Sequence, residues 1–289
     1  MKNRGFQWKL AALFGMGWQI FGCSGGDLSA EMADYGSAKV EFLDVGQGLS
    51  VLLQGDGGKF KALYDAGNDS AGFWDSLRVR NVTHLDWALI SHWHRDHAGG
   101  FLEWESSVII DTLFYSNDPG GSLLKDSVLK LAKRFGTPAV PVERGKELHC
   151  AEWTCKILWP AKFSDFEGNN ASAVLQVSDG KLRALFTGDL ESLGEAELLE
   201  ISNDLRAELL QVGHHGSATS TSLRFLEQVS PLMAVISVGK KNSYGHPAKS
   251  TLKKLNFATG DSSKIFRTDL LGSISMEWRL GKGLWRGNY

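Results

Sequence analysis

The 289-residue chain lacks the features that mark several specialised classes of protein. Its formal net charge is −2, so no overall positive charge attracts nucleic acid, and DNA binding would need a local basic surface. The chain has no internal repeat, no coiled-coil heptad pattern and no low-complexity block, which excludes solenoid and fibrous architectures. Hydrophobic residues make up 43% and charged residues 22%, a composition that favours one globular domain.

The apolar stretch near the N terminus is too short to span a bilayer. It covers residues 10–22 and follows the basic residues Lys2, Arg4 and Lys9. A basic start before a short apolar core is typical of a secretory signal. We therefore predict a signal peptide over residues 1–22.

Cys23 stands where a bacterial lipoprotein carries its lipid. Ile20 at position −3 and Gly22 at position −1 match a lipoprotein cleavage box, whereas Phe21 departs from the usual small residue. We predict lipidation of Cys23 and a flexible tether over residues 23–38, which are mostly small and polar. A plain secretory signal or an uncleaved anchor is the alternative.

Cysteine is scarce, with three residues in the whole chain. If Cys23 carries lipid, Cys150 and Cys155 remain, in a segment that reads as two short strands around a tight turn. The two sulfurs could face each other across this hairpin, so a disulfide is one expectation and a pair of free buried thiols is the other. A zinc site is disfavoured there, because His149 adds only one more ligand type.

Strand-like and helix-like segments alternate along the rest of the chain. Strand patterns occur at residues 39–45, 49–54, 60–65, 85–91, 108–115, 171–177, 182–187, 208–212, 233–238, 264–266 and 272–278. Helical patterns occur at residues 73–79, 122–135, 192–201, 220–229 and 247–257. Strands come first and then alternate with helices, twice over. This order favours two mixed β-sheets flanked by helices, in one domain at residues 39–289.

Residues 91–97 read Ser-His-Trp-His-Arg-Asp-His and follow an apolar strand-like run. Alternate side chains of an extended segment point the same way, so His92 and His94 could bind one cation together. Asp96 and His97 follow at a turn into a helix and could hold a second ion. Imidazole nitrogen and carboxylate oxygen suit zinc and, with more oxygen ligands, manganese. A polar loop with incidental histidines is the alternative.

The hexad His-x-His-x-Asp-His resembles the signature of the metallo-β-lactamase superfamily of metal-dependent hydrolases. Further motifs resemble one branch of it, the soluble hydrolase domain of the ComEC competence proteins, which carry DNA across bacterial inner membranes. These motifs are residues 42–48, 188–190, 212–217, 237–239, 242–247 and 267–269. The resemblance covers about residues 39–278. It implies an αββα sandwich with the metal site at the edge between the two sheets.

The resemblance implies roles for three residues near strand ends. Asp65 would brace the metal-binding loop through hydrogen bonds, and a simple turn residue is the alternative. Asp189 would bridge two metal ions, and a helix cap is the alternative. His246 would complete the site of Asp96 and His97.

Polar residues after the predicted strand at residues 208–212 are candidates for substrate contact. One of His214 and His215 could face the metal ions or act as a general acid toward a phosphate, while packing is the alternative for the other. Ser217 could help to bind an anion at the start of the next helix. Lys240 could meet a phosphate or be a solvated loop residue.

One ligand expected from the resemblance is missing. The superfamily usually supplies a third histidine to the first metal, but the corresponding segment, residues 168–172, reads Gly-Asn-Asn-Ala-Ser. We therefore predict two divalent ions, Zn²⁺ or Mn²⁺, with the first site of His92, His94 and Asp189 the weaker one. Asn170 is assigned a supporting or substrate contact.

Together these expectations describe an exported, lipid-anchored hydrolase of the periplasm or cell envelope. The resemblance favours phosphodiester hydrolysis of DNA, with Asp96, Asp189 and His215 as catalytic residues and the DNA-uptake machinery as a partner. Trp93 would stack on a base or fill the wall of the cleft. Hydrolysis of an ester, amide or lactone is one alternative function. A non-enzymatic accessory protein of DNA uptake is the other.

Overall fold

The computed structural model describes residues 37–69, 72–279 and 285–288. The predicted signal peptide and Cys23 lie outside these residues, as does the predicted tether up to residue 36. The first strand begins at Ser37. In the described part of the chain, no helix combines the length and the apolar character that crossing a membrane requires.

The described residues form seventeen β-strands and seven α-helices. The strands are β1 (Ser37–Phe42), β2 (Val51–Gly55), β3 (Phe60–Tyr64), β4 (His84–Leu85), β5 (Trp87–Ile90), β6 (Ile109–Ile110), β7 (Leu113–Ser116), β8 (Ala139–Val142), β9 (Glu147–Leu148), β10 (Thr154–Trp159), β11 (Val174–Ser178), β12 (Arg183–Phe186), β13 (Leu209–Gln211), β14 (Met233–Ile236), β15 (Ile265–Arg267), β16 (Ile274–Arg279) and β17 (Trp285–Asn288). The helices are α1 (Phe73–Arg78), α2 (Arg95–Ala98), α3 (Leu123–Arg134), α4 (Ser192–Ile201), α5 (Leu223–Val229), α6 (Lys249–Thr259) and α7 (Thr268–Leu271).

Two large sheets carry the fold. Within the described residues, the first has eight strands in the order β17-β16-β1-β2-β3-β5-β7-β8, and the second has seven in the order β15-β14-β13-β12-β11-β10-β9. Strands β3, β5, β7 and β8 run parallel in the first sheet, as do β12 to β15 in the second. The other neighbours in each sheet are antiparallel. Both sheets are therefore mixed, which confirms the predicted fold class.

The two sheets pack face to face, and helices cover their outer faces. Between the sheets, the ring of Phe186 lies 6.1 Å from that of Phe42 and 5.7 Å from that of Tyr64. Apolar residues of α1 and α3 form a second core outside the first sheet, and residues of α4, α5 and α6 form a third core outside the second. The layers are thus helix, sheet, sheet and helix.

Strand β5 shows why an apolar run ends at the histidine motif. All four of its residues are buried, because Trp87 and Leu89 face the core between the sheets while Ala88 and Ile90 face the core under the helices. A strand covered on both faces reads as a continuous apolar run in the sequence. The chain then leaves the sheet, and its next residues are polar.

The structure departs from the predicted strand pattern at residues 108–115 and at β8. The strand pattern at residues 108–115 is divided into β6, which pairs with β4, and β7, which pairs with β5. Strand β8 was not predicted, because Pro141 interrupts its pattern. A proline is tolerated there because β8 is the edge strand of the first sheet.

The cysteine hairpin is closed by a disulfide. Cys150 and Cys155 are both buried, their Cα atoms are 5.9 Å apart, and their sulfurs are bonded. Strands β9 and β10 pair antiparallel around them, with Leu148 opposite Cys155. Of the two expectations for these residues, the structure has the disulfide.

Candidate metal centre

The polar side chains singled out from the sequence lie at one edge of the molecule, where parallel strands end. Asp65 follows β3, residues 91–97 follow β5, Asp189 follows β12 after a short turn, and His214 and His215 follow β13. Parallel strands place their carboxyl ends on the same side of a sheet. Because the two sheets face each other, the loops from both meet at this edge.

Asp65 joins the end of β3 to the histidine motif. Its side chain is fully buried, and its carboxylate accepts hydrogen bonds from the backbone N–H of Ser91 at 2.7 Å and from the Ser91 hydroxyl at 2.6 Å. The carboxylate also lies 2.7 Å from Nδ1 of His97. Since Nδ1 is held by Asp65, Nε2 of His97 is left to face the centre.

Asp96, His97, Asp189 and His215 form a compact group. One ligand atom of each lies within 4.8 Å of the others, and this is the one such group of three or more His, Cys, Asp or Glu side chains among the described residues. Nε2 of His97 is 3.3 Å from Nε2 of His215 and 3.0 Å from Oδ1 of Asp189. Nε2 of His215 is 3.2 Å from Oδ2 of Asp96.

The neighbouring strand fixes the ring of His215. Its Nδ1 donates to the backbone carbonyl of Ser237 over 2.8 Å, and the Ser237 hydroxyl donates to the carbonyl of Gly48 over 2.8 Å. The backbone of His215 has a φ of +53°, in the left-handed region. A residue with a side chain rarely adopts this conformation, so the surrounding contacts must stabilise it.

Electrostatics at this group favour a positive charge. Burial opposes a charge on His97, but Asp189 and Asp65 raise the pKa of this imidazole well above its usual value. Burial likewise disfavours an ionised Asp189, but His215 and His97 hold the pKa of that carboxyl well below its usual value. The buried carboxylate of Asp189 therefore favours cationic partners.

His92 and His94 lie on the other side of Asp189. His92 is buried, its Nδ1 is 3.1 Å from the Ser91 hydroxyl, and its Nε2 is 4.0 Å from Oδ2 of Asp189. Among the described residues this Nε2 has no hydrogen-bond partner. His94 is exposed, and its ring lies 4.6 Å from that of His92. This side of the centre is therefore the more open one.

The centre opens into a cleft of about 630 Å³. Such a volume lies within the range of small-ligand sites. Polar residues of the centre line one part of the cleft: His94, Asp96, Asn169, Asp189, His214, His215 and His246. Apolar and aromatic side chains line another part: Trp93, Leu102, Leu123, Leu124 and Tyr244. Three further polar residues also line the cleft: Gln47, Arg95 and Ser127.

A family model with the description metallo-beta-lactamase superfamily matches residues 43–240. The matched segment includes the histidine motif, Asp189 and His215. This chain belongs to the metallo-β-lactamase superfamily. The two facing mixed sheets are therefore the superfamily's fold, as the resemblance predicts, and the ligand group at their edge is a candidate metal site.

Curated relatives of this superfamily member include competence proteins. ComE operon protein 3 of Bacillus subtilis (strain 168) is 28% identical over 264 residues, covering 83% of this chain and 33% of the relative. Competence protein ComA of Neisseria gonorrhoeae is 33% identical over 257 residues, covering 85% of this chain and 33% of the relative. The chain thus spans about a third of the length of these relatives.

A solved structure supports the same fold. The metallo-beta-lactamase fold protein YhfI from Bacillus subtilis superposes with a TM-score of 0.56 at 12% sequence identity, covering 83% of this chain and 100% of that chain. At this identity the likeness concerns the fold alone.

The superfamily implies divalent metal ions, and the residues present fit them. Nε2 of His97 and Nε2 of His215 face each other while the Nδ1 atom of each ring is used elsewhere. Two unprotonated nitrogens in this arrangement would repel each other unless a cation or a proton lay between them. The buried Nε2 of His92 also lacks a partner. Three imidazoles and the carboxylates of Asp96 and Asp189 form a donor set that zinc or manganese accepts.

The structure places His215, and not His246, in the group with His97. His246 lines the cleft, its ring lies 5.6 Å from that of His214, and it stacks on Tyr244 at 5.7 Å. Nδ1 of His246 is buried and has no hydrogen-bond partner among the described residues. The role of His246 as a metal ligand stays a prediction.

His214 stands beside Asp189 at the cleft. Its Nε2 is 3.7 Å from Oδ2 of Asp189, and its Nδ1 is 3.2 Å from Oε1 of Glu191. The hydroxyl of Thr219 donates to the same Glu191 oxygen over 2.7 Å. Glu191 therefore orients His214 so that Nε2 faces the centre.

Three other residues that the sequence predicts as contacts do not line the cleft. The hydroxyl of Ser217 is buried against that of Thr219, 2.9 Å away. Oδ1 of Asn170 accepts from the backbone N–H of Gly194 over 3.0 Å, which is a supporting contact. Lys240 is exposed. Contact of these residues with a substrate stays a prediction.

Sequence reasoning missed the residues that hold the turn of Asp189. Gln211, buried at the end of β13, accepts from the backbone N–H groups of Thr187 and Gly188 over 2.7 and 2.8 Å, and it donates to the Gly188 carbonyl over 3.1 Å. The Ser172 hydroxyl accepts from the N–H of Asp189 over 3.1 Å. The available signal was a single amide within an otherwise apolar strand.

Proposed function

We propose that this chain hydrolyses phosphodiester bonds of DNA with divalent ions held at the buried histidines and carboxylates. The observation that carries the proposal is the convergence of Asp96, His97, Asp189 and His215 beside an open cleft. A catalytic centre needs ligands held in place and a face that the substrate can reach. The similarity to competence proteins supports DNA as the substrate.

Each step of the reaction has candidate residues at the cleft. Divalent ions bound there would supply positive charge near a phosphoryl oxygen and lower the pKa of the attacking water. Gln211 holds the turn that carries Asp189, so that carboxylate keeps its position. His214, oriented by Glu191, donates a proton to the leaving oxygen. Water thus adds its oxygen to phosphorus and releases a proton to solvent, while the leaving group departs as an alcohol with the proton from His214.

The aromatic surface of the cleft suits a nucleobase beside the scissile phosphate. Tyr244 is 70% exposed, and its ring stacks on that of His246. Stacking on an aromatic ring accepts any base, since every base has a π-face. Trp93 is only 5% exposed and packs against Tyr115, so it fits the wall-filling alternative.

Hydrolysis of an ester or lactone is the second candidate function. The observation that favours it is the apolar wall formed by Leu102, Leu123 and Leu124, of which Leu123 is 86% exposed. Such a wall would accept the acyl chain of a carbonyl substrate. The formal net charge of −2 provides no general attraction for DNA.

The test compares substrates on one metal-loaded preparation. We expect added Mn²⁺ or Zn²⁺ to produce turnover of bis-p-nitrophenyl phosphate and cleavage of single- or double-stranded DNA, and a chelator to abolish both. Esters, lactones and β-lactams should remain intact in the same assay. Opening of an ester or lactam without cleavage of any phosphodiester would contradict the nuclease proposal. It would leave the metal centre as described.

We also propose that the chain is exported and anchored by a lipid on Cys23, where it meets the DNA-uptake machinery. The disulfide between Cys150 and Cys155 supports export, because disulfides persist mainly in oxidising compartments. The competence relatives support the choice of partner. The Cys23→Ser variant should lose the lipid mass and leave the membrane fraction. An unchanged mass and fraction would contradict lipidation.

A further inference from the structure

The side of the centre that contains His92 and His94 has fewer donors than the other side. His92 and Asp189 face each other at 4.0 Å, and His94 stands beside His92. Among the described residues, the ligand atoms of these three side chains do not converge within 4.8 Å, as those of the group around His97 do. Two imidazoles and one shared carboxylate leave a divalent ion short of a fourth protein ligand.

The segment Gly168–Ala171 lies against this open side. It forms a 3₁₀ turn, in which the carbonyl of Asn169 accepts from the N–H of Ser172 over 3.1 Å. A Cβ atom on Gly168 would lie 3.5 Å from Nε2 of His94, an ordinary van der Waals distance, so the turn passes close to that ring. The turn that carries Asn169 therefore lies close to the nitrogen that His94 offers to a cation.

Two consecutive asparagines in this segment have different surroundings. The side-chain Oδ1 of Asn170 accepts from the backbone N–H of Gly194. The backbone carbonyl of Asn170 accepts from Nε1 of Trp159 over 2.7 Å. Oδ1 of Asn169 is buried and has no hydrogen-bond partner among the described residues, and Asn169 lines the cleft with His94 and Asp189. A buried amide oxygen without a partner costs roughly 1–3 kcal/mol, so a ligand is the expected explanation.

We propose that Asn169 supplies a carbonyl oxygen ligand to the ion of this side, together with His92, His94 and Asp189. The site then has two nitrogen and two oxygen donors, whereas a third histidine would give three nitrogens. Amide oxygen is a hard ligand that favours manganese and magnesium over zinc, relative to imidazole. The inference rests on the metal centre of the proposed function, and it predicts that the two ions differ in kind as well as in affinity.

The test is calorimetric titration of the purified, metal-free full chain with Mn²⁺ and separately with Zn²⁺. We expect the wild-type chain to bind one ion tightly and one more weakly. Asn169→Ala should weaken binding of the weaker ion at least about tenfold and leave binding of the tighter ion unchanged. Asn169→His should instead tighten the weaker Zn²⁺ event about tenfold, because it restores a third imidazole. Both responses are measured without substrate.

Matched variants separate ligation from damage to the loop. Asn169→Asp keeps an oxygen donor and should bind the weaker ion at least as well as the wild type. Asn170→Ala should leave both events unchanged, and circular dichroism should show all four variants folded. Wild-type behaviour of both Asn169→Ala and Asn169→His would overturn the assignment. If the wild-type chain itself binds no ion, the metal centre of the proposed function fails instead.

Discussion

The two sides of the metal centre differ in how much of their geometry the protein provides. On the side of His97 and His215, Nδ1 of each ring has a protein partner, Asp65 at 2.7 Å and the Ser237 carbonyl at 2.8 Å. On the other side, His94 is exposed, and the described residues offer its ring the contact with His92 and no hydrogen bond. One side is thus held by the fold before any ion arrives, whereas on the other side His92 is buried and held and His94 would be ordered by the ion.

This difference explains how one sequence motif could form two metal sites of unequal affinity. Ordering an exposed side chain on binding costs conformational entropy, whereas a buried and hydrogen-bonded ring has already lost that freedom on folding. An ion near His97 would therefore gain more free energy from its ligands than an ion near His94. Asp189 belongs to both sides and couples them.

Loss of Asp189 should have the largest effect, because it breaks both sides together. We expect Asp189→Ala to lower phosphodiesterase turnover by at least about a hundredfold, a loss of about 2.7 kcal/mol in transition-state stabilisation. His94→Ala removes a ligand from the open side alone and should also lose at least about a hundredfold, but less than Asp189→Ala. Steady-state kinetics with saturating metal measures both. His149→Ala, which changes an exposed histidine outside the cleft, is the matched control and should stay near wild type.

Removal of Asp65 should destabilise the metal-free fold, whereas removal of the metal ligand His94 should not. Asp65→Ala leaves the N–H of Ser91 and Nδ1 of His97 without a buried acceptor, so the free energy of unfolding of the metal-free chain should fall by about 3 kcal/mol. His94→Ala changes an exposed ring and should stay within about 0.5 kcal/mol of wild type. Urea unfolding measures both. Equal losses for the two variants would show that the sides do not differ in preorganisation.

Metal retention gives a direct comparison of the two sides. After dialysis we expect about one ion per chain, rising toward two when manganese or zinc is added. His94→Ala should keep the retained ion, whereas His97→Ala should lose it. Elemental analysis of the dialysed variants provides the measurement. Two ions that survive washing with a chelator would contradict the inequality.

The smallest effect is expected far from the centre, at Glu41. Burial raises the pKa of this carboxyl, but hydrogen bonds from Arg80 and Lys39 outweigh that effect. The pKa of Glu41 therefore lies below its ordinary value of 4.5. The stability from this pairing is therefore present above about pH 4.5 and is lost as the pH falls through the lower folded-state value. Glu41→Gln should flatten the fall in Tm of the metal-free chain below that pH. An identical acid profile in both proteins would exclude the pairing as a source of acid stability.

The fold class and much of the centre could be predicted from local sequence. Strand β5 ends where an apolar run meets the motif at residues 91–97, and the periodicity of 2 in an extended segment already places His92 and His94 on one side. Asp65 and Asp189 follow apolar strands, but their roles come from the resemblance to the superfamily. The disulfide was one of two expectations, since a hairpin spacing brings two sulfurs near each other without deciding whether they bond.

Other features of the centre depend on contacts between distant parts of the chain. The choice of His215 over His246 beside His97 depends on a left-handed backbone at residue 215 and on the Ser237 carbonyl that receives its Nδ1. The different surroundings of Asn169 and Asn170 depend on where α4 offers the N–H of Gly194. No local sequence pattern encodes these contacts between distant residues.

The sequence by itself determined which ligand types follow which strands, because side-chain chemistry and periodicity are local properties of the chain. Only the tertiary structure decided which of those ligands meet, because the two sheets must pack before loops separated by more than a hundred residues share one edge. Gln211 shows the limit most clearly. In the sequence it is one amide in an apolar strand, and in the folded chain its buried hydrogen bonds hold the turn of Asp189. A buried amide must find partners, and only the fold specifies which ones.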